Sequence, residues 1–272
     1  VATSTWIRFS VVAALCSACA APDGIDVSPG EPELDDDGAG KADGNNDKAE
    51  LKVTIDPVHI RRARYRLGLW NDQSETRNIW FFDTMSLDLY NAGMILRARE
   101  IDGDDDDSTV KLRPFTRPEL DSELRTNDDM KCELDRDPDG ATTACSLKVE
   151  QAEGQIDEVA AGERQLRTLF SSEQEYMFEV HGPGLAMTDL EPLGPIPARV
   201  WTLRSDEVSE KVTAELWYMP DGSQVLELST KVDLADADDA MDDLLDFVAD
   251  RDIDLDATQE SKTKRALESF VY

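Results

Sequence analysis

The chain of 272 residues carries 59 Asp and Glu against 28 Lys and Arg, giving a formal net charge of −31 and a pI near 4.2. That length suits one domain of ordinary or slightly large size with appendages. So acidic a balance excludes general binding to DNA or to anionic membrane, both of which need a basic surface, but leaves room for a local basic pocket.

Residues 1–19 read as an export signal. Arg8 is the only charge, and it precedes the apolar run Val11-Val12-Ala13-Ala14-Leu15. The run is too short to cross a bilayer, which takes about 20 residues. Cys16-Ser17-Ala18-Cys19 follows. Small residues before a cysteine are similar to a bacterial lipoprotein cleavage site, with Cys19 as the lipidated residue. Here Cys16 stands where leucine is usual. An ordinary secretory signal cut nearby is the alternative. Ala20 after Cys19 points to the outer membrane, with the membrane touched only through the lipid anchor.

Residues 20–47 read as an acidic, disordered tether. Asp35-Asp36-Asp37 and several other acids stand there against Lys41 alone, with almost no large apolar residue to offset the entropy of ordering. No EF-hand spacing is present.

The body, residues 48–272, begins with strand signals. Period-two alternation of charged and apolar residues runs through 48–55, 95–99, 109–113, 131–135 and 225–231, with further strands expected over 79–82, 146–150 and 212–218. Helices are expected over 60–69, 161–170, 237–248 and 262–270. Met219-Pro220-Asp221-Gly222 is a hairpin turn, and so is Asp137-Pro138-Asp139-Gly140. A hairpin centred between Pro138 and Asp139 sets Cys132 opposite Cys145, so export makes a disulfide between them plausible; two reduced thiols are the alternative. The whole is an α+β chain.

In each alternating strand the charged residues share one face, while Leu51, Val53, Leu96, Ala98, Val110, Leu112, Leu134, Leu226 and Leu228 share the other. Two architectures satisfy this. The apolar faces can meet a core with the charges in water. Alternatively, the sheet closes with its charges inward and helices cover its apolar outside.

One run of motifs favours the second. Phe81-Phe82-Asp83-Thr84 is followed by Leu87-Asp88-Leu89-Tyr90-Asn91-Ala92-Gly93, then Leu96-Arg97-Ala98-Arg99, then Thr109-Val110-Lys111-Leu112-Arg113. This order resembles the heart of CYTH, or triphosphate tunnel, domains. Lys48-x-Glu50-x-Lys52 stands where the family opens with E-x-E-x-K. Lys131-x-Glu133-x-Asp135, Leu193-Gly194-Pro195-Ile196, Glu227-x-Ser229 and Ser261-Lys262 extend the likeness over residues 48–262.

The resemblance implies a closed antiparallel β-barrel with helices packed outside. It implies a lumen that binds tripolyphosphate, polyphosphate or another phosphorylated small molecule, and no nucleic acid. Lys52, Arg97, Arg99, Lys111 and Lys131 would contact phosphate, with Arg113 and Lys262 as further candidates. Arginine forks suit phosphate oxygens and lysines act as point charges. Glu50, Glu133, Asp135 and Glu227 would hold Mg2+ or Mn2+, hard cations that take carboxylate oxygens. Asp83 reads as structural. His59 and His181 form no metal or triad constellation.

Lys48 and Ser229 depart from the family pattern, each removing a carboxylate. Three readings follow: a metal-dependent phosphohydrolase, a silent relative that binds such a ligand, and an envelope protein that uses the barrel for partner binding.

Overall fold

In this computed structural model the described residues are 24–30 and 48–271. Cys19 and most of the leader and tether therefore lie outside them. Ten strands are present among these residues: β1 Asp26–Pro29, β2 Lys48–Thr54, β3 Glu75–Asp83, β4 Met94–Ile101, β5 Asp106–Leu112, β6 Lys131–Asp137, β7 Gly140–Gln151, β8 Glu191–Arg204, β9 Val212–Tyr218 and β10 Gln224–Asp233. The α-helices are α1 Ile60–Leu67, α2 Asp88–Asn91, α3 Ser122–Arg125, α4 Gln155–Ala160, α5 Ser172–His181, α6 Ala237–Ala249 and α7 Lys262–Val271.

Nine strands close into a barrel in the order β8-β3-β4-β5-β7-β6-β2-β10-β9, with β9 pairing back to β8. Every pairing is antiparallel except β2 with β6, so the barrel is mixed where the sequence predicts an antiparallel one. That parallel seam spans three residue pairs, Ala49–Leu134 to Leu51–Arg136. β6 is held more firmly by its hairpin with β7. There Cys132 lies opposite Cys145 and the two form a disulfide. The two-residue connection Pro138-Asp139 sets that register.

The apolar faces point outward. Leu51, Val53, Leu226 and Leu228 pack under α1 and α6, against Ile60, Leu67, Met241, Leu244 and Val248. Leu245, next to Leu244 on α6, is only partly buried. Leu96, Ala98, Val110 and Leu112 pack on the other side against Leu124 of α3, Ile156 of α4 and Met177 of α5. A third cluster closes one end of the barrel, where Ala266 and Leu267 of α7 meet Phe81, Trp217 and Leu193. The closed, charge-inward architecture is thus the one adopted.

Several elements differ from expectation. Asp26–Pro29, inside the segment read as tether, pairs with the far end of β8. Ile25 and Val27 are buried there, enough apolar surface to hold a short strand. Residues 161–170 are a turn and the 3-10 helix Leu166–Leu169 rather than a helix. α5 was not expected; its Ser171 and Gln174 form a reciprocal capping box.

β8 was not among the expected strands, and Pro192, Pro195 and Pro197 interrupt it. Those prolines occupy a stretch that pairs only with β3, since β9 begins to pair at Ala198. The pairing with β3 shifts register between Ile79 and Phe81. At that bulge a Cβ on Gly194 would come within 2.6 Å of the Trp80 ring and 2.9 Å of the Ile79 carbonyl, so the close approach requires glycine.

Asp83 has the structural role the sequence assigns it. Its buried carboxylate accepts the amides of Thr84 at 2.7 Å, Leu89 at 2.9 Å and Tyr90 at 3.0 Å. The last two are open N–H groups of the first turn of α2, whose own N-cap has no side-chain acceptor. Asp83→Ala is expected to destabilise the fold by about 3 kcal/mol, because it strands buried amides that met a charged acceptor. Urea unfolding monitored by tryptophan fluorescence checks this, and a loss below about 1 kcal/mol would contradict the capping role.

Candidate functional site

Inward-facing side chains of the barrel line one cavity of about 1030 Å³. Fifteen of the chain's 28 Lys and Arg border it, against eleven of its 59 Asp and Glu. A strongly acidic protein therefore keeps a net positive lining in this cavity, which the overall charge conceals.

All seven cations expected to contact phosphate border the cavity: Lys52, Arg97, Arg99, Lys111, Arg113, Lys131 and Lys262. Their placement follows from alternation. Arg97 and Arg99 are two apart on β4, and Lys111 is the inward residue of β5 paired with Ile95. The carboxylates are interleaved among them. Asp135 of β6 is only 2% exposed, yet three cations converge on it: Lys111 at 2.9 Å, Lys52 at 3.3 Å and Arg113 at 3.7 Å. Lys52 also meets Glu50 at 2.7 Å, and Glu133 is shared between Lys231 at 3.2 Å and Lys111 at 3.8 Å.

Burial alone would push these carboxyls up; instead Lys52, Lys111 and Arg113 hold Asp135 well below the usual carboxylate range. The same competition leaves Glu50 below its ordinary value, with Lys52 and Lys231 outweighing burial. Lys52 moves the opposite way, its desolvation overcome by Glu50, Asp135 and Glu227. Lys52 and its partners Glu50 and Asp135 are therefore all charged at neutral pH.

Glu50, Glu133 and Asp135 each offer an oxygen within 4.8 Å of the others. Three carboxylates converging from adjacent strands suit Mg2+ or Mn2+ and do not suit a soft, thiolate-seeking ion. Glu227, expected as a fourth such carboxylate, lies outside that group. Its partner is Lys262 at 2.9 Å, which also meets Glu215 at 2.8 Å. Lys262 enters from the first turn of α7, the helix that closes one end of the barrel.

Arg99 lies opposite Asp107 and donates to both of its carboxylate oxygens, at 3.0 Å from Nε to Oδ1 and 2.5 Å from an Nη to Oδ2. That clamp orients the guanidinium on the cavity wall. Lys48, at the position of the missing first glutamate, pairs with Asp233 at 2.9 Å. The arginines of α1 do not border the cavity; Arg62 and Arg66 face Asp252 on the outer surface.

Sequence reasoning missed Glu215 and Arg77, both on the cavity wall. Glu215 lies in the expected 212–218 strand at an inward position opposite Glu227, so strand register would have found it. Arg77 lies before the 79–82 run that the pattern marks, on the early part of a longer β3.

No family model and no curated protein sequence matches the chain. Solved structures do. The Hippeastrum protein HpAC1, assigned as an adenylyl cyclase and described with a dominant triphosphatase activity, superposes with a TM-score of 0.56 at 15% identity, covering 80% of this chain and 93% of its own. A Bacillus halodurans protein assigned as an adenylate cyclase superposes with a TM-score of 0.55 at 13% identity, covering 82% of this chain and 98% of its own.

The Lys262 bridge sets a pH signature. Burial would raise the Glu215 carboxyl, but Lys262 and Arg77 hold it down at about 2, while Glu215 and Glu227 overcome desolvation to raise Lys262. A depressed carboxyl stabilises the fold above the ordinary carboxyl range and loses that contribution as pH falls toward the depressed value. A raised ammonium stabilises below its ordinary value and loses the contribution only as pH climbs through the raised one. Stability from this bridge is therefore flat through neutral pH. Lys262→Met leaves two carboxylates facing each other, so its melting temperature should fall most at about pH 8 and recover toward wild type at about pH 4, where one carboxyl takes a proton. Calorimetry across that range checks this, and parallel pH profiles for the two proteins would contradict it.

These likenesses, at such low identity, establish the architecture: a closed triphosphate-tunnel barrel of mixed strands with helices outside.

Proposed function

We propose that the lumen binds tripolyphosphate or a related phosphorylated polyanion and hydrolyses it with the help of a divalent cation. The observation that carries this reading is the convergence of Lys52, Lys111 and Arg113 on one buried carboxylate inside an enclosed, net-positive cavity. Buried charge networks contribute little to stability compared with apolar packing of the same volume, so a ligand is the stronger reason for them. The tunnel fold shared with HpAC1, itself described with triphosphatase activity, supports the same class of chemistry.

Phosphoryl transfer needs positioning and charge stabilisation more than covalent chemistry. Arg97 and Arg99, on β4, present guanidinium groups to phosphate oxygens, with Arg99 aimed by Asp107. Lys52 and Lys111, now paired with Asp135 and Glu50, exchange those partners for phosphate oxygens. Glu50, Glu133 and Asp135 are thereby released to hold the cation. Bound there, Mg2+ or Mn2+ would neutralise phosphate charge and lower the pKa of a bound water. The exchange leaves no charge unpaired on either side.

A second reading, binding without turnover, draws on one specific observation. Lys48 stands where the resemblance calls for a carboxylate and is engaged with Asp233. The leader-like residues support an envelope location through lipidated Cys19, where inorganic polyphosphate is a more accessible ligand than a nucleoside triphosphate.

Arg97→Ala should weaken tripolyphosphate binding about ten- to a hundredfold, the loss of one charge-assisted contact. Titration calorimetry and tripolyphosphate-induced thermal stabilisation measure it, and unchanged values in both would remove the basis of both readings. Phosphate release that requires Mn2+ and is lost in Glu133→Gln supports hydrolysis. Tight binding by wild type without release supports the silent binder.

A further inference from the structure

Behind the Arg99–Asp107 clamp, on the outer face of the barrel, two acids meet with no cation between them. Arg99 of β4 and Asp107 of β5 are register partners, and Arg99 borders the lumen. The next residue along β4, Glu100, and the residue before Asp107 on β5, Asp106, belong to the opposite face. α4 packs against β4 and buries only Ile156 and Val159. Its N-cap is Gly154, which offers no side-chain acceptor, and Asp157 lies in its first turn.

Glu100 is half-buried, and its two oxygens differ. Oε2 accepts from Nδ2 of Asn78 at 3.1 Å, across the β3–β4 pair. Oε1 is buried and meets no N–H donor among the described residues. The group that faces Glu100 from α4 is the Asp157 carboxyl, within hydrogen-bond reach. Two ionised carboxylates are both acceptors, so one of them must carry a proton to complete this contact. The neighbouring charges have the same sign. Asp106, facing from β5, is 8% exposed and accepts the Ile101 amide at 3.0 Å. Glu153, just ahead of α4, acts in turn on Asp106. The turn between β4 and β5 adds Asp102, Asp104 and Asp105 without one base. No Lys, Arg or His pairs with Glu100 among the described residues. Burial first, then Asp157, push its carboxyl up to about 7, with Asn78 partly opposing them.

We propose that Glu100 and Asp157 share one proton and form a pH-sensitive clamp, which fixes α4 on β4 behind Arg99 in acid and releases it in base. Its control over the lumen rests on the phosphate-binding reading above. Arg99 immediately precedes Glu100, so a loosened α4 leaves that guanidinium less well positioned for an anion. The sign follows from linkage. A raised carboxyl binds its proton more tightly in the folded chain than in the unfolded one. Its contribution is therefore full toward the ordinary carboxyl range, is lost as pH climbs to about 7, and changes no further above that. Glu50, Asp135 and Glu215, whose carboxyls are depressed, run the opposite way.

The test compares Glu100→Gln, Asp157→Asn and the double variant with wild type by calorimetry without ligand. Glu100→Gln keeps an oxygen for Asn78 and gives Asp157 a donor at every pH. Its melting temperature should match wild type at about pH 5 and exceed it by about 3 °C at about pH 8. Amide exchange over 155–160, taken as the ratio of wild type to Glu100→Gln to cancel its intrinsic pH dependence, should rise over the same interval. Asp157→Asn should give the same pH-dependent gain, and the double variant no more than either single change, because one contact is being mended. Parallel melting profiles for wild type and Glu100→Gln would overturn the clamp. So would an exchange ratio that does not change with pH. A gain from Glu100→Gln that is undiminished beside Asp157→Asn would mark simple relief of net negative charge and also overturn it. Tripolyphosphate affinity, as the ratio of Glu100→Gln to wild type, should rise from about one at the lower pH to about threefold at the higher. A ratio that stays at one would overturn the control over the lumen. If wild type binds no tripolyphosphate at any pH, the phosphate-binding reading fails, while the ligand-free measurements still decide the clamp.

Discussion

The structure depends on keeping positive charge from separate strands enclosed in one lumen without letting it repel itself apart. Asp135 is the centre of that balance. It is buried, and Lys52, Lys111 and Arg113 converge on it from β2 and the end of β5. Taking any one of these charges from water costs several kcal/mol, and their mutual attraction returns that only because they are interleaved. An interior filled with leucine would hold a barrel of this size at least as well. The charges therefore make sense as places reserved for a guest of opposite sign, held meanwhile by carboxylates that a cation can take over.

Putting charge inside fixes the rest of the architecture. The apolar faces must point outward and be covered, so α1 and α6 lie over one side of the barrel and α3, α4 and α5 over the other. α7 then does two things at once. Its Ala266 and Leu267 close one end of the barrel, and its Lys262 delivers a cation to Glu215 and Glu227. The Cys132–Cys145 disulfide lies where reinforcement has most effect. It fastens β6, which carries Glu133 and Asp135, to β7, while the other edge of β6 pairs with β2 over only three residues.

Much of this was legible in the sequence, for identifiable reasons. Period-two charge alternation marked β2, β4, β5, β6 and β10 and told which residues share a face. It could not tell inside from outside, because a closed barrel and an open amphipathic sheet give the same pattern; only the motif order around Arg97 and Lys111 separated them. β8 was illegible because proline ordinarily forbids a central strand, and nothing local reveals that its proline-bearing half lacks a β9 partner. The separation of Glu227 from the Glu50, Glu133 and Asp135 group is likewise a tertiary fact. It follows from Lys262, 35 positions further along the chain, arriving on α7.

The most direct measurement of the central claim is an anomalous difference map from crystals grown with tripolyphosphate and Mn2+. The account predicts a manganese peak among Glu50, Glu133 and Asp135, with phosphate density running inside the barrel between Lys111 and the β4 arginines. Polyphosphate bound only on the outer surface, or manganese held elsewhere with the lumen lysines still paired to Asp135, would contradict it.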